Sequence, residues 1–247
     1  MRRFTPVILA LLVACDDRAP TTIVADAPCR SLAFENTRFT VCAADPARDR
    51  VTLVIDPALR SLPALAKARG EHGAQVGFAM NGGMYDEAGY PIGLAVADGK
   101  RLTPLNRNSG TGNFHLLPNG VFSAEADGWH VRTADAYAAL HRPVPSMATQ
   151  SGPMLLIGGG LHPKIAPNGT SLHIRNAVGI SADGKAHFVI SDQPVSFGRL
   201  ARMMHAVLGC DDALYLDGAV SALWDPVNRR IDTTVPLGPL LVVERVR

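Results

Sequence analysis

Apolar residues along the chain fall mostly into short runs punctuated by glycine, asparagine and proline: "QVGFAM", "IGLAVA", "GVFSA", "GWHVR", "PMLLIG", "NAVGIS", "AHFVIS", "ALYLD" and "LLVVERV". Runs of this kind, rich in branched and aromatic residues and bounded by turn formers, predict β-strands. Asp-Gly pairs between apolar runs in "ADGK" at 97–100 and "ADGKA" at 182–186 predict two tight hairpins, so part of the sheet is antiparallel. Two segments follow a helical period instead. In the first, 56–70, Asp56 stands as cap, Pro57 takes the first helical position, and Leu59, Leu62, Leu65 and Ala66 share one face. Gly70 stops it, with Pro63 as the irregular position. In the second, 196–209, Ser196 caps a face of Phe197, Leu200, Met203, Met204 and Val207, and Gly209 ends it. The helices do not alternate with the strands. This predicts an α+β fold, a mixed and largely antiparallel sheet with a few flanking helices, in a single domain.

The N-terminus departs from this pattern. "MRRFTPVILALLVAC" carries two arginines and then an apolar run well short of the roughly 20 residues a spanning helix needs, which predicts an export signal over 1–15. Leu12-Val13-Ala14-Cys15 resembles a bacterial lipobox, which implies lipidation at Cys15 and a membrane anchor; a secreted soluble protein is the alternative. Residues 16–28, "DDRAPTTIVADAP", read as a tether, and the folded domain is expected over 29–247. An exported chain facing the periplasm or cell exterior sees an oxidising compartment, so Cys29 and Cys42, flanking "RSLAFENTRFTV", are expected to clip an N-terminal strand pair. Cys210, at the end of the second helix pattern, reads as a buried inert thiol.

With 24 basic and 22 acidic side chains, a formal charge of +2 and no long run of either sign, no nucleic-acid partner is expected. The eight histidines form no HExxH and no close Cys/His cluster, so no metal ligand set and no cofactor is expected. G-x-S-x-G is absent, which disfavours a serine hydrolase of that class. "GGGLHPK" at 158–164 matches neither nucleotide-binding glycine pattern and reads as a hairpin turn.

Four short polar segments sit where strand-to-turn junctions can bring them together. They are Asn81-Gly82-Gly83-Met84-Tyr85, Gln150-Ser151-Gly152-Pro153, Arg175-Asn176, and Asp217-Gly218 with Ser221 and Trp224. Arginine is a planar fork for phosphate or carboxylate, aspartate serves as acid, base or nucleophile, and glycines let backbone N–H groups approach an anion. Asp192, closing "FVISD", offers a second carboxylate.

"MNGGMYD", "QSGPML", "RNAVGI", "FVISD" and "LYLDGAVSALW", in this order, resemble the motifs of the phosphodiester glycosidase family, which includes an animal enzyme that removes a covering N-acetylglucosamine from mannose 6-phosphate. The resemblance spans about residues 75–245 and is nearest the family's bacterial branch. Ala219 and Val220 stand where the animal enzyme has glycines, so this loop carries side chains. The resemblance implies cleavage of a sugar-1-phosphodiester at the anomeric bond. Catalytic roles then fall to Asp217 as nucleophile or base, Asp192 as the second carboxylate, and Arg175 as the phosphate clasp. Gly82 and Gly83 would add backbone donors, and Asn81, Tyr85, Gln150, Ser151, Gly152, Asn176, Gly218, Ser221 and Trp224 would line the sugar site; packing is an equal reading for Trp224. Two other readings compete: an envelope glycan-binding lipoprotein that does not cut, and a metal-assisted phosphodiesterase using Asp192 and Asp217 as ligands.

Overall fold

A computed structural model describes residues 27–70, 75–233 and 235–246. The leader, Cys15 and nearly all of the 16–28 tether lie outside the described residues. In chain order the strands begin with β1 (Cys29–Phe34), β2 (Thr37–Ala44), β3 (Asp49–Val54), β4 (Val76–Asn81), β5 (Ala95–Ala97) and β6 (Lys100–Thr103). There follow β7 (Gly120–Glu125), β8 (Gly128–Thr133), β9 (Met147–Ser151), β10 (Met154–Ile157), β11 (Gly160–Leu161), β12 (Asn176–Ser181) and β13 (Ala186–Ser191). The last are β14 (Cys210–Tyr215), β15 (Leu223–Asp225), β16 (Arg230–Ile231) and β17 (Leu240–Arg245). Helices are α1 (Leu62–Arg69), α2 (Ala134–Ala139) and α3 (Phe197–Leu208), and none among the described residues is long and apolar enough to cross a membrane.

The strands form three sheets, ordered β1-β2-β13-β12-β14-β10-β11, β16-β15-β4-β17-β3 and β6-β5-β9-β7-β8. Alternation along each strand sends every second side chain to a shared centre. Val178, Phe188 and Leu214 come from the first sheet, Phe78, Met80 and Leu241 from the second, and Phe122 and Met147 from the third. Phe188 stands edge-on to both Phe78 and Phe122, with ring centroids 5.1 and 5.6 Å apart, so three sheets meet at one ring. The outer face of the first sheet is covered by α3, and that of the second by α1. The expected α+β domain is therefore present, with three sheets in place of one and antiparallel pairing throughout the named strands.

Local chemistry explains most of the elements. Asp98 and Gly99, both at positive φ, turn β5 into β6, and the Ser181–Lys185 turn joins β12 to β13, as the two Asp-Gly pairs predict. Gly158 and Gly159 turn β10 into β11 in the same way. Ser196 caps α3 through the Arg199 N–H, and Gly209 closes it in the left-handed conformation. Val207, expected on the buried face, is 43% exposed, and Leu208 is buried.

The helix expected over 56–70 is two elements. Asp56 caps a single 3-10 turn at Pro57–Leu59, and Ser61 then caps α1, whose first turn holds Pro63. In one continuous helix the Pro63 ring would strike the carbonyl of Leu59; restarting at Ser61 puts the proline where no N–H is needed. β9 shows no alternation in sequence because all five of its residues are buried.

Cys29 and Cys42 face each other directly in the β1–β2 ladder and form the expected disulfide, while Cys210 is free, buried, and pushed up to about 12 by desolvation. The bridge closes a loop with sequence separation 13, which predicts a loss of about 3 kcal/mol on its removal. Urea unfolding of Cys29→Ala/Cys42→Ala is expected to match that of reduced wild type, with Cys210→Ala still sensitive to reductant.

Candidate active site

β4 ends in Asn81, a buried residue whose groups are all engaged. Its Oδ1 accepts from the Asn176 Nδ2 and from the Ala222 N–H, both at 2.9 Å. Its Nδ2 donates to the Asp217 carbonyl at 2.6 Å, and its own carbonyl accepts from Asn176 at 3.1 Å. One asparagine thus joins the second sheet, the first strand residue of β12 in the first sheet, and the 217–222 loop. Ser221 completes the joint, its hydroxyl lying 3.2 Å from the Ile174 carbonyl and 3.4 Å from the Asn176 Oδ1. The Asp217 N–H donates to the Gly82 carbonyl at 3.1 Å, so the ends of β4 and β14 run side by side.

Asp217 is the carboxylate this joint presents. It is half-buried and caps the 3-10 turn Gly218–Val220 through the Ala219 N–H at 3.3 Å, and its charge pushes up the phenols of Tyr85 and Tyr215. Desolvation raises its pKa, opposed by the Ala219 N–H, and no cation among the described residues acts on it. Tyr85 donates to the Pro236 carbonyl at 2.8 Å and carries Arg60 over its ring at 5.8 Å; burial and the Asp217 charge both push its phenol up.

Arg175 is placed differently from a phosphate clasp. It is 1% exposed, and its Nε donates to the Val195 carbonyl at 2.8 Å while Nη2 donates to the Ser171 carbonyl at 3.0 Å. Its Cζ lies 3.7 Å above the Phe197 ring and 5.4 Å from the centre of the Tyr215 ring. Much of the fork therefore serves the protein itself. Asp192 is likewise engaged: it accepts from Arg230 and from the Thr40 hydroxyl, each at 3.2 Å, and Arg230 also binds Asp232.

The glycines do not offer free amides. The Gly82 N–H donates to the Pro239 carbonyl at 2.8 Å and that of Gly83 to the Thr149 hydroxyl at 3.2 Å. Their purpose is close approach: a Cβ on Gly83 would lie 2.2 Å from the Gln150 carbonyl oxygen. Gly152 fits against Asn119 and the Phe114 carbonyl for the same reason. Gln150 uses its whole amide internally, accepting from the Leu94 and Asn106 N–H groups and donating to the Asn106 carbonyl and the Asn119 Oδ1. Ser151 is fully buried with a hydroxyl that has no hydrogen-bond partner. Trp224 packs: it is 8% exposed on the outer face of the second sheet, in one cluster with Leu62, Leu65 and Leu237 of the α1 side.

Two residues escape the sequence reading. Tyr215 sits in the run "ALYLD", where it reads as an apolar strand residue; its position two before Asp217 on an extended chain is the available signal. Arg230, which neutralises Asp192, has a near neighbour in Asp232, but its bonds to Thr40 of β2 and to Asp192 just after β13 leave no local signal. Potential metal ligands do come together among the described residues, but as Glu125, Asp127 and His130 in the third sheet, where Arg132 and Arg142 bind the carboxylates.

Residues 74–243 match the family model described as phosphodiester glycosidase. YigE, an uncharacterized protein of Escherichia coli K12, is 41% identical over 150 residues; the shared stretch is 61% of this chain and spans 58% of that relative's length. The fold is similar to the catalytic domain of zebrafish N-acetylglucosamine-1-phosphodiester alpha-N-acetylglucosaminidase, solved as auto-inhibited by its pro-peptide. The TM-score is 0.61 at 17% identity, covering 89% of this chain and 82% of that one. A protein from Synechocystis shares the fold at TM-score 0.51 and 13% identity, over 89% of this chain and 61% of its own.

Gly83→Ala is expected to cost about 1–3 kcal/mol, because the clash is with backbone. Gly77→Ala, whose Cβ would meet nothing nearer than 3.5 Å, is expected to be close to neutral. Asn81→Ala strands the Ala222 N–H and the Asn176 amide and is expected to cost at least about 2 kcal/mol. Urea midpoints measured on the three variants check these values.

Proposed function

Because the chain belongs to the phosphodiester glycosidase family, we propose that it hydrolyses a sugar-1-phosphodiester at the anomeric bond, releasing free sugar and a phosphomonoester. The observation that carries this reading is Asp217: a half-buried carboxylate with no countercharge, in the family's Leu-Asp-Gly motif, on a joint that fixes its backbone from two sides. Carboxylates desolvated without a partner are costly and concentrate at functional sites.

Cleavage at an anomeric carbon builds positive charge on the sugar ring, and a fixed carboxylate meets that charge as nucleophile or as base toward water. The leaving group is a phosphomonoester, already a weak base, so no strong general acid is required. Asp192, held by Arg230, is the second carboxylate and stays in a supporting position. Tyr85 and Ser221 stand part-exposed at the edge of the site with their hydroxyl protons given to the Pro236 and Ile174 carbonyls, and Ser151 is buried behind it. Asn81, Asn176, Gln150, Gly82, Gly83, Gly152 and Gly218 build the walls that hold those groups, and Arg175, its fork given to the Val195 and Ser171 carbonyls, braces them from behind. The zebrafish enzyme is named for an N-acetylglucosamine-1-phosphodiester, which makes UDP-N-acetylglucosamine a sensible first substrate to try. The side chains of Ala219 and Val220 leave the sugar and the aglycone to be found by assay.

The Cys29–Cys42 disulfide supports a compartment outside the cytoplasm. Together with the lipobox-like Cys15 it supports our reading of a lipid-anchored envelope protein acting on envelope sugar-phosphodiesters or glycans, without a cofactor.

Free-sugar release from a panel of sugar-1-phosphodiesters tests the reading. Asp217→Asn is expected to lose at least about a thousandfold in kcat/KM, and EDTA to leave the wild-type rate unchanged. Loss of rate in EDTA would favour a metal-assisted phosphodiesterase; glycan binding without any release would favour an envelope binding protein. The raised pKa of Asp217 also sets a stability signature. Its ionised form opposes folding above the folded pKa, and the penalty is relieved as pH falls toward the unfolded value of about 3.9. Asp217→Asn is therefore expected to melt above wild type at pH 7, with the gap closing by about pH 4 in thermal scans.

A further inference from the structure

Arg175 is committed to the Val195 and Ser171 carbonyls, and a second guanidinium stands nearer the surface beside the same joint. Arg60, just ahead of the Ser61 cap of α1, is part-buried. Its Nε donates to the Leu237 carbonyl at 2.8 Å and its Nη1 to the Ala88 carbonyl at 3.3 Å, while its own carbonyl accepts from the Leu237 N–H at 2.8 Å. Among the described residues no carboxylate lies within ion-pair distance of it, and its Nη2 has no hydrogen-bond partner. A guanidinium carries five N–H donors, so this one is held in place with donors to spare. They open on a cavity of about 80 Å³, lined by Arg60 with Asp56, Pro57, Gly89, Tyr90 and Gly238, which has room for a group of phosphoryl size. Gly89, at φ +91°, keeps the guanidinium uncovered, since a Cβ there would lie 2.7 Å from the Arg60 Cζ. The 236–239 segment ties this cleft to Asp217. Leu237 exchanges two bonds with Arg60, the Pro239 carbonyl accepts from the Gly82 N–H, and the Gly82 carbonyl accepts from the Asp217 N–H. Leu237 and Pro239 are separated by at most about 7 Å of chain, and the Tyr85 ring packs on Gly238 between them.

We propose that Arg60 is the phosphoryl-binding residue of this site, its cleft beside Tyr85 taking the phosphoryl group on the aglycone side while the sugar lies at Asp217. The proposal rests on the reading of Asp217 as the reacting carboxylate. Arg60 itself lies outside the 74–243 stretch that matches the family model. A reacting carboxylate comes to about 3 Å from the anomeric carbon, and a guanidinium to about 3 Å from a phosphoryl oxygen, so such a diester calls for an anion and a cation that are near without touching. Arg60 and Asp217 meet that condition, because one chain segment joins their surroundings and no ion pair joins the two. The leaving phosphomonoester gains a second negative charge as the anomeric bond breaks, and a guanidinium already fixed by two carbonyls meets it at little cost in order. Asp56 is the opposing charge in the cleft. It is exposed and caps the 3-10 turn through the Ala58 N–H at 2.8 Å, so it works against an anion at Arg60 without holding the guanidinium.

The test titrates the full chain with inorganic phosphate by calorimetry at low ionic strength, for wild type, Arg60→Lys, Arg60→Met and Asp56→Asn, alongside kcat/KM on a panel of sugar-1-phosphodiesters. Arg60→Met is expected to weaken phosphate binding and kcat/KM by at least about tenfold, and Arg60→Lys by less. Asp56→Asn keeps the cap and is expected to tighten phosphate binding about two- to fivefold, a gain that shrinks as salt is added. That variant leaves Arg60 in place, and so decides the matter if Arg60→Met loses its fold. A folded Arg60→Met protein that binds phosphate as wild type does, or an Asp56→Asn protein that gains nothing, overturns the proposal. If wild type holds phosphate through Arg60 but cleaves no diester, the phosphoryl subsite stands and the phosphodiester glycosidase reading falls. If a folded Arg60→Met protein cleaves diesters undiminished, the subsite falls and that reading stands.

Discussion

Asn81 uses both ends of one side-chain amide and both ends of its own peptide unit to hold parts of the chain that lie far apart in sequence. Its partners at 176, 217 and 222 come from a strand of the first sheet and from the loop that carries the candidate nucleophile. A buried amide of this kind has a large penalty if any one bond is missing, because the abandoned group keeps its desolvation cost and gains nothing. That asymmetry makes the joint specific. The two sheets can approach only in the register that satisfies all four atoms, and the same register puts Asp217 alongside Gly82.

The rest of the site can be understood as what this joint requires. The backbone at 82–83 must pass close to β9, which only glycine at 83 permits, and the amides there are spent on Pro239 and Thr149. Gln150, whose backbone Gly83 touches, fastens the 92–119 region by giving all of its side-chain bonds to Leu94, Asn106 and Asn119. Most of the polar residues around Asp217 therefore saturate one another. The carboxylate itself is the exception: desolvated, it has the Ala219 N–H and no cation acting on it among the described residues. Arg175 lies against the rings of Phe197 and Tyr215 and gives its guanidinium to the Val195 and Ser171 carbonyls, so it is not the salt-bridge partner of the carboxylate.

The sequence by itself determined the elements whose causes are local. The Asp-Gly hairpins, the capped and glycine-terminated α3, the strand runs, and the Cys29–Cys42 pair all depend on neighbours in the chain or on simple spacing, and the structure has each of them. The family motifs also singled out Asn81, Asn176, Asp217 and Ser221, which do meet. Only the tertiary structure decided what each residue does there. A buried polar side chain is the same letter whether it contacts a ligand or another strand, and the difference lies in partners distant along the chain. Gln150 and the glycine amides are committed internally, Trp224 packs under α1, Asp192 is neutralised by an arginine from β16, and Tyr215 packs against Arg175 with its hydroxyl next to Gly218. The break at Pro63 lies between these cases: its cause is local, but the helical period hides it until the carbonyl it would strike is in place.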